Sequence, residues 1–480
     1  MHRFAGFLAI VSIASLSIAS TRAGVVPEPL AYGPGIAAAL DGAGQLGSGQ
    51  HDGDAPSVSV AVVENGRIVY AKAFGLADVA TGTAATTATR YRIASITKMF
   101  TAVCVMQLVE QGRLSLDDTL SKYVPEYTRA RAVTIRELLM HTSGVPNYLD
   151  AAFADGSVNR RTTPTAIIAS VSGKPLDFAP GTRYEYSNTG YVLLGMIVEG
   201  VSGASLTAYE NKHIFIPAGM PSTTVGDAPP GTPEAVGYMD HSGTPADRYD
   251  ASWLFADGDI VSTASDLARF DMALMAGKLV RPKTLALMQS TNVSMNDGKY
   301  RYGLGLTLAP FDDKLVAGHH GGVPGFETDN ELIASDGFAT VVLGNAFDFL
   351  TPTVEDGILA AFYPAASARA IATVATPAPA ATGEDPAITA RFKRFFAGLQ
   401  QGTIDPSALS QAMRDALTPE ALAAMKAQFG PLGPITSLVY RGLTPAGAYE
   451  QYGYQAAFGT KRVTFQFVLD KDGKIAGFGL

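Results

Sequence analysis

Apolar positions alternate along the chain at Val58, Val60 and Val62, stop at Glu64-Asn65-Gly66, and resume from Ile68 to Phe74. That period of two predicts a β-hairpin over 56–75, in which Asn65-Gly66 supplies the positive φ angles of a tight turn. Between about 95 and 290 the period lengthens to that of helices, broken by Gly and Pro and clearest at 99–110, 190–202 and 265–276. Strands resume near 301–308, 314–320, 326–334 and 338–345, with Ser335-Asp336-Gly337 as a turn. Strands at both ends of a helical middle predict an α+β fold, an antiparallel sheet closed by the two ends of the region and flanked by helices.

Two further segments stand outside this pattern. Residues 370–386 are rich in Ala, Pro and Thr and read as a linker, which sets off residues 387–480 as a small α+β domain. Its helical patterns fall around 387–401 and 418–429 and its alternating runs at 446–457 and 461–469, with Asp472-Gly473 turning the chain into a last strand. At the other end, His2 and Arg3, the apolar run Phe7 to Ile18 and the small residues around Thr21-Arg22-Ala23 read as a secretory signal over 1–23. The apolar run is too short to span a bilayer, and no later segment approaches a transmembrane one, so the expectation is an exported protein, periplasmic or secreted.

Composition narrows the function. Without residues 1–23, which carry Arg3 and Arg22 and no acid, 34 basic side chains face 44 acidic ones, a net charge of −10 that argues against a nucleic-acid partner. Cys104 is the single cysteine, so no disulfide closes within the chain, and its apolar surroundings read as a buried, inert thiol. Stability then rests on core burial, for which 47% hydrophobic residues are ample.

The run Tyr91 to Val103 holds Ser95 and Lys98 at an S-x-x-K spacing. Three apart on a helix, the two side chains share a face, and the lysine amine reaches the serine hydroxyl. A serine hydroxyl is a weak nucleophile until a neighbour takes its proton, and a lysine among polar groups is one such neighbour. The apolar stretch Met99 to Leu108 places the pair at the start of a buried helix, so the spacing points to acyl transfer. Two more elements are Tyr186-Ser187-Asn188, just before an apolar helix, and His319-His320-Gly321-Gly322, on an expected strand.

With these three elements the sequence resembles the serine β-lactamase and penicillin-binding-protein superfamily, most closely its class C-like branch of esterases, D-aminopeptidases and DD-carboxypeptidases. The likeness runs from about 50 to 350 and takes in Thr134-Ile135-Arg136-Glu137-Leu138-Leu139, His141-Thr142-Ser143-Gly144, Pro217-Ala218-Gly219-Met220 and the run Ser262 to Phe270. It implies a β-lactamase-like domain over 24–369 and an acyl-enzyme at Ser95, with Lys98 as its proton partner and Tyr186 as general base and acid. Asn188, His319, His320 and Gly321 are implied as substrate contacts, and the N–H groups of Ser95 and Gly322 as the oxyanion hole. Glycines suit a strand whose backbone donors must come within about 3 Å of a developing oxyanion. Lys and Tyr have reference pKa values of about 10.4 and 10, and the sequence leaves open which of them takes the Ser95 proton.

Departures from the family bear on substrate. Many β-lactamases of this group carry lysine where this chain has His319, which ranks an ester or a D-amino-acid or peptide amide ahead of a β-lactam. His320 stands where a small hydroxyl residue is more usual and is expected to crowd the site or weaken carboxylate binding. Asp257-Gly258-Asp259 replaces paired glycines before the Ser262-Thr263 run, with no consequence assigned. A reading of another class is a penicillin-binding or sensor-like protein with slow or no turnover, motivated by the appended tail.

Other motifs read as structural. Gly42-Ala43-Gly44-Gln45-Leu46-Gly47 fits G-x-G-x-x-G but is expected to be a flexible turn, since no clear strand and helix flank it. His319-His320 has no acid or third histidine at a recognised ligand spacing, so neither metal nor cofactor is expected. His141 is expected to organise a loop by hydrogen bonds, and Glu110 to be solvated. No G-x-S-x-G elbow occurs, which disfavours a Ser-His-Asp hydrolase. The expected partner is a small-molecule ester, peptide or β-lactam.

Overall fold

A computed structural model describes residues 34–48, 55–127, 131–227, 229, 231–247, 249–295, 300–364, 384–430, 433–446, 449–458 and 461–479. The signal-like segment 1–23 and residues 370–383 of the linker-like segment lie outside them. The chain divides into two units, Met1–Ser367 and Ala368–Leu480.

The first unit opens with the expected hairpin, β1 (Ser57–Glu64) and β2 (Arg67–Asp78), turned by Asn65 and Gly66 at φ 52° and 69°. Then follow β3 (Thr83–Ala84), β4 (Tyr91–Arg92), β5 (Thr224–Val225), β6 (Ile260–Ser262), β7 (Val293–Ser294), β8 (Arg301–Tyr302), β9 (Thr307–Phe311), β10 (Lys314–Val323), β11 (Phe326–Ile333) and β12 (Phe338–Gly344). Nine of these form one antiparallel sheet in the order β3-β2-β1-β12-β11-β10-β9-β8-β7, and β4, β6 and β5 form a small second sheet. The first long strand therefore lies beside the last, with Val60 opposite Val342.

β1 is buried along both faces, and its alternation sends side chains into two cores. Val58, Val60 and Val62 meet Leu40, Val354 and Ile358 from the helices Pro34–Gly47 and Thr351–Phe362. Ala61 and Val63 belong to the larger core that holds the helices Thr97–Glu110, Asn188–Ser202 and Ala264–Met275. Helix Thr97–Glu110 is buried from Thr97 to Leu108, as a helix apolar all round must be. Phe100 on it stacks on Phe270 with ring centroids 4.0 Å apart. Phe100→Ala is expected to cost about 3–5 kcal/mol of stability, measured by denaturant unfolding, because this closed core cannot collapse into the gap.

The glycine run at 42–47 is helical rather than a turn, the last part of Pro34–Gly47. A Cβ on Gly44 would stand 2.2 Å from the Phe74 ring, so the glycine lets the helix lie close on the sheet. Glu110 is likewise not simply solvated, since it pairs with Arg281 at 3.0 Å and accepts the Arg281 backbone N–H at 2.7 Å. Among the described residues no single helix is long and apolar enough to cross a membrane.

The second unit places helices Pro386–Gln401 and Pro419–Phe429 with a four-stranded antiparallel sheet, β13 (Ser437–Ala446), β14 (Tyr449–Phe458), β15 (Lys461–Asp470) and β16 (Ile475–Gly479). Phe392, Phe396, Tyr454, Phe465 and Phe467 form its core. The first helix starts at Pro386, inside the segment read as linker, because Asp385 caps it by accepting the Ala387 N–H. β13 is absent from the sequence reading: Gly442 and Pro445 interrupt its pattern, and an edge strand tolerates both.

Candidate active site

Ser95 sits in a 3-10 turn, Ala94–Ile96, immediately ahead of helix Thr97–Glu110. Ala94 has φ 47°, a left-handed conformation that costs a residue with a Cβ about 1–3 kcal/mol and is held by its surroundings. The Ile93 N–H donates to the Ile260 carbonyl at 3.1 Å, and Thr328 Oγ1 donates to the Ile93 carbonyl at 3.1 Å. One turn on, Lys98 is fully buried.

Lys98 Nζ has three partners: Ser95 Oγ at 3.0 Å, Asn188 Oδ1 at 2.8 Å and the Asp257 carbonyl at 2.8 Å. The last two are acceptors only, so two N–H bonds are committed to them. The third position faces Ser95, where the amine donates when charged and accepts when neutral. Burial pushes the Lys98 amine down to about 8, against the pull of the Asp257 charge. Tyr186 donates its hydroxyl to Ser95 Oγ at 2.8 Å, and burial holds that phenol well above its ordinary range. Ser95 thus lies between an amine within reach of neutrality and a phenol that keeps its proton.

The loop before helix Asn188–Ser202 carries Tyr186, the helix opens on Asn188, and the segment His141–Asn147 clamps both. The Ser187 N–H donates to His141 Nδ1 at 3.1 Å, Ser187 Oγ to the Val145 carbonyl at 2.8 Å, and the Asn188 N–H to Asn147 Oδ1 at 3.1 Å. The His141 ring packs on Tyr186 with centroids 4.2 Å apart, and burial keeps His141 neutral. His141 organises the loop as the sequence suggests, and touches Tyr186 as well.

β10 brings the third element to Ser95. β9 pairs with β10 over Lys314–Gly318, so from His319 to Val323 that edge has no strand partner among the described residues. A Cβ on Gly321 would stand 2.3 Å from the Ile93 carbonyl and 3.1 Å from the Ser95 nitrogen, so only glycine lets the strand approach the nucleophile turn. Gly322 follows it on β10, where a Cβ would stand 2.8 Å from Glu327 Oε1.

The two histidines depart from the sequence reading. His319 Nδ1 meets the His320 carbonyl at 2.5 Å and must donate to it; Nε2 therefore accepts from the Tyr302 hydroxyl at 2.8 Å. Burial pushes His319 down to about 3, so it is neutral with both nitrogens engaged by protein, not a free contact for a substrate. Strand alternation turns His320 to the face opposite the one Gly321 presents to Ser95, where it pairs with Glu327 at 2.6 Å. It does not crowd the nucleophile. The Asp257 carbonyl, Asn147, Tyr302 and Thr328 complete the arrangement without a sequence motif; only the Asp257-Gly258-Asp259 departure marked any of them.

A serine whose hydroxyl lies between an S-x-x-K lysine and a tyrosine, at the open edge of an antiparallel sheet, defines a serine-type acyl-transfer site. The chain belongs to the Beta-lactamase family, whose model matches residues 38–364. Its fold is accordingly α+β and β-lactamase-like. It is 33% identical over 291 residues to Penicillin-binding protein 4* of Bacillus subtilis, covering 56% of this chain and 64% of that protein. The chain thus spans less than two thirds of that relative's length. Among solved structures it is similar to a D-stereospecific amidohydrolase from Streptomyces, with 29% identity, a TM-score of 0.59 and coverage of 68% of this chain and 98% of the other. It is also similar to the D-amino acid amidase from Ochrobactrum anthropi SV3, with 27% identity, a TM-score of 0.61 and coverage of 69% and 99%.

Proposed function

We propose that this protein is a serine hydrolase that forms an acyl-enzyme at Ser95 and acts on amides of D-amino acids or short D-terminal peptides, with esters as alternative substrates. The observation that carries it is the placement of Ser95 Oγ between Lys98 Nζ at 3.0 Å and Tyr186 Oη at 2.8 Å. In the proposed path neutral Lys98 takes the Ser95 proton and Oγ attacks the carbonyl carbon. The carbonyl oxygen, now negative, is held by the N–H groups of Ser95 and Gly322. Collapse breaks the bond to the leaving amine, which takes its proton from Tyr186; Lys98 returns a proton to Tyr186 through the site. Water then attacks the ester of Ser95 by the same relay and frees the acid. Asn188 fixes Lys98 through Oδ1 at 2.8 Å, and in the proposed path its Nδ2 donates to the acyl group.

The neutral His319 adds no cation for a β-lactam or C-terminal carboxylate. The similarity to the two amidase structures supports the choice of an amide. Export, read from residues 1–23, is part of the proposal.

The test is to compare kcat/KM for D-phenylalaninamide, its L-enantiomer, p-nitrophenyl butyrate and a chromogenic cephalosporin. The D-amide is expected to exceed both the L-amide and the cephalosporin by at least about tenfold. Faster turnover of the cephalosporin would assign the site to β-lactams instead.

A further inference from the structure

On the sheet face turned away from Ser95, β11 presents Glu327, Asp329 and Glu331 at alternate positions. Helix Thr351–Phe362 crosses this face and adds Glu355. One carboxylate oxygen from each of Asp329, Glu331 and Glu355 lies within 4.8 Å of the other two. Glu355 is 6% exposed, and its Oε1 is sealed from solvent with no hydrogen-bond partner among the described residues. The contacts around the cluster do not neutralise it. Thr351 Oγ1 donates to Asp329 Oδ2 at 3.3 Å, the Asn330 N–H donates to Asp329 Oδ1 at 2.9 Å, and the nearby His320 is occupied by Glu327 at 2.6 Å.

Three carboxylates brought together under cover, one with an orphaned oxygen, repel one another unless protons or a cation neutralise them. We propose that Asp329, Glu331 and Glu355 bind one calcium ion. An all-oxygen, all-carboxylate set selects a hard cation, and calcium–oxygen distances of about 2.3–2.6 Å place ligands on opposite sides of one ion up to about 5 Å apart. The adjoining cavity of about 650 Å³ leaves room for water to complete the shell. The ion ties the helix Thr351–Phe362 to β11, and through the pairing of Asp329 with His320 it stands directly behind the strand that carries Gly321 and Gly322. Spacing alone gives no sign of such a site, because its third ligand lies 24 positions from Glu331 on another element.

The experiment uses the full chain, stripped with a chelator and then titrated with calcium chloride by calorimetry, with thermal unfolding recorded in parallel. One ion is expected to bind per chain, with half-saturation between about 10⁻⁵ and 10⁻³ M. At a hundredfold excess over that value the unfolding temperature of the unit carrying the site is expected to rise by about 5 °C. Glu355→Gln and, as an independent variant, Glu331→Gln should abolish both effects while keeping the native circular dichroism. Ser95→Ala should bind calcium like the wild type, which separates this site from the hydrolytic one. No saturable binding to folded wild type up to about 10 mM, or undiminished binding by both variants, overturns the proposal.

Discussion

Ser95→Ala is expected to lower kcat on every acyl substrate of the wild type by about 10⁴–10⁶-fold while leaving the fold intact. The size follows from the chemistry, because without Oγ there is no covalent intermediate and water must attack unaided. The stability effect is small for a structural reason. Lys98 Nζ keeps Asn188 Oδ1 and the Asp257 carbonyl, both at 2.8 Å, so the buried amine stays satisfied after the serine oxygen is gone. Steady-state hydrolysis of D-phenylalaninamide and p-nitrophenyl butyrate, beside a denaturant melt, reads both quantities. Turnover within tenfold of wild type would remove Ser95 from the mechanism.

Lys98→Arg is the second large effect, a loss of at least about 10³-fold in kcat/KM. Arginine keeps the positive charge but does not give up its proton in proteins, so it separates a base from a merely electrostatic lysine. The same assignment fixes the pH dependence. Only the neutral amine accepts the Ser95 proton, and burial sets Lys98 at about 8. Wild-type kcat/KM should therefore climb about tenfold per unit from pH 6 to 7 and level off above about 8. A flat profile between pH 6 and 9, or an active Lys98→Arg variant, would move the base role to Tyr186. The structure weighs against that second outcome, because burial raises the Tyr186 phenol and makes it the proton donor of the pair.

Much of this site is local and so could be read from the chain. The hairpin β1–β2 follows from alternation and Asn65-Gly66, and the Ser95–Lys98 pair from a three-residue spacing that runs from a 3-10 turn into the buried helix Thr97–Glu110. Tyr186, Asn188 and the glycines of β10 came from family resemblance, and the fold brings Tyr186 and Asn188 to the Ser95–Lys98 pair from about ninety positions away. What stayed hidden depends on tertiary contacts. A backbone carbonyl such as that of Asp257 has no signature in a side-chain alphabet. The state of His319 depends on Tyr302 and on its neighbour's carbonyl, and the direction of His320 on which face of β10 meets Ser95. Gly44 misleads for the same reason: in isolation it reads as a turn, and against Phe74 it is a packing residue.

The most direct test of the account is intact-mass spectrometry of the wild-type protein, quenched in acid during turnover of p-nitrophenyl butyrate, followed by peptide mapping. The predicted result is a single butyryl adduct on the peptide containing Ser95, absent from Ser95→Ala. An adduct on another residue, or equal labelling of the Ser95→Ala variant, would contradict the assignment of Ser95 as nucleophile.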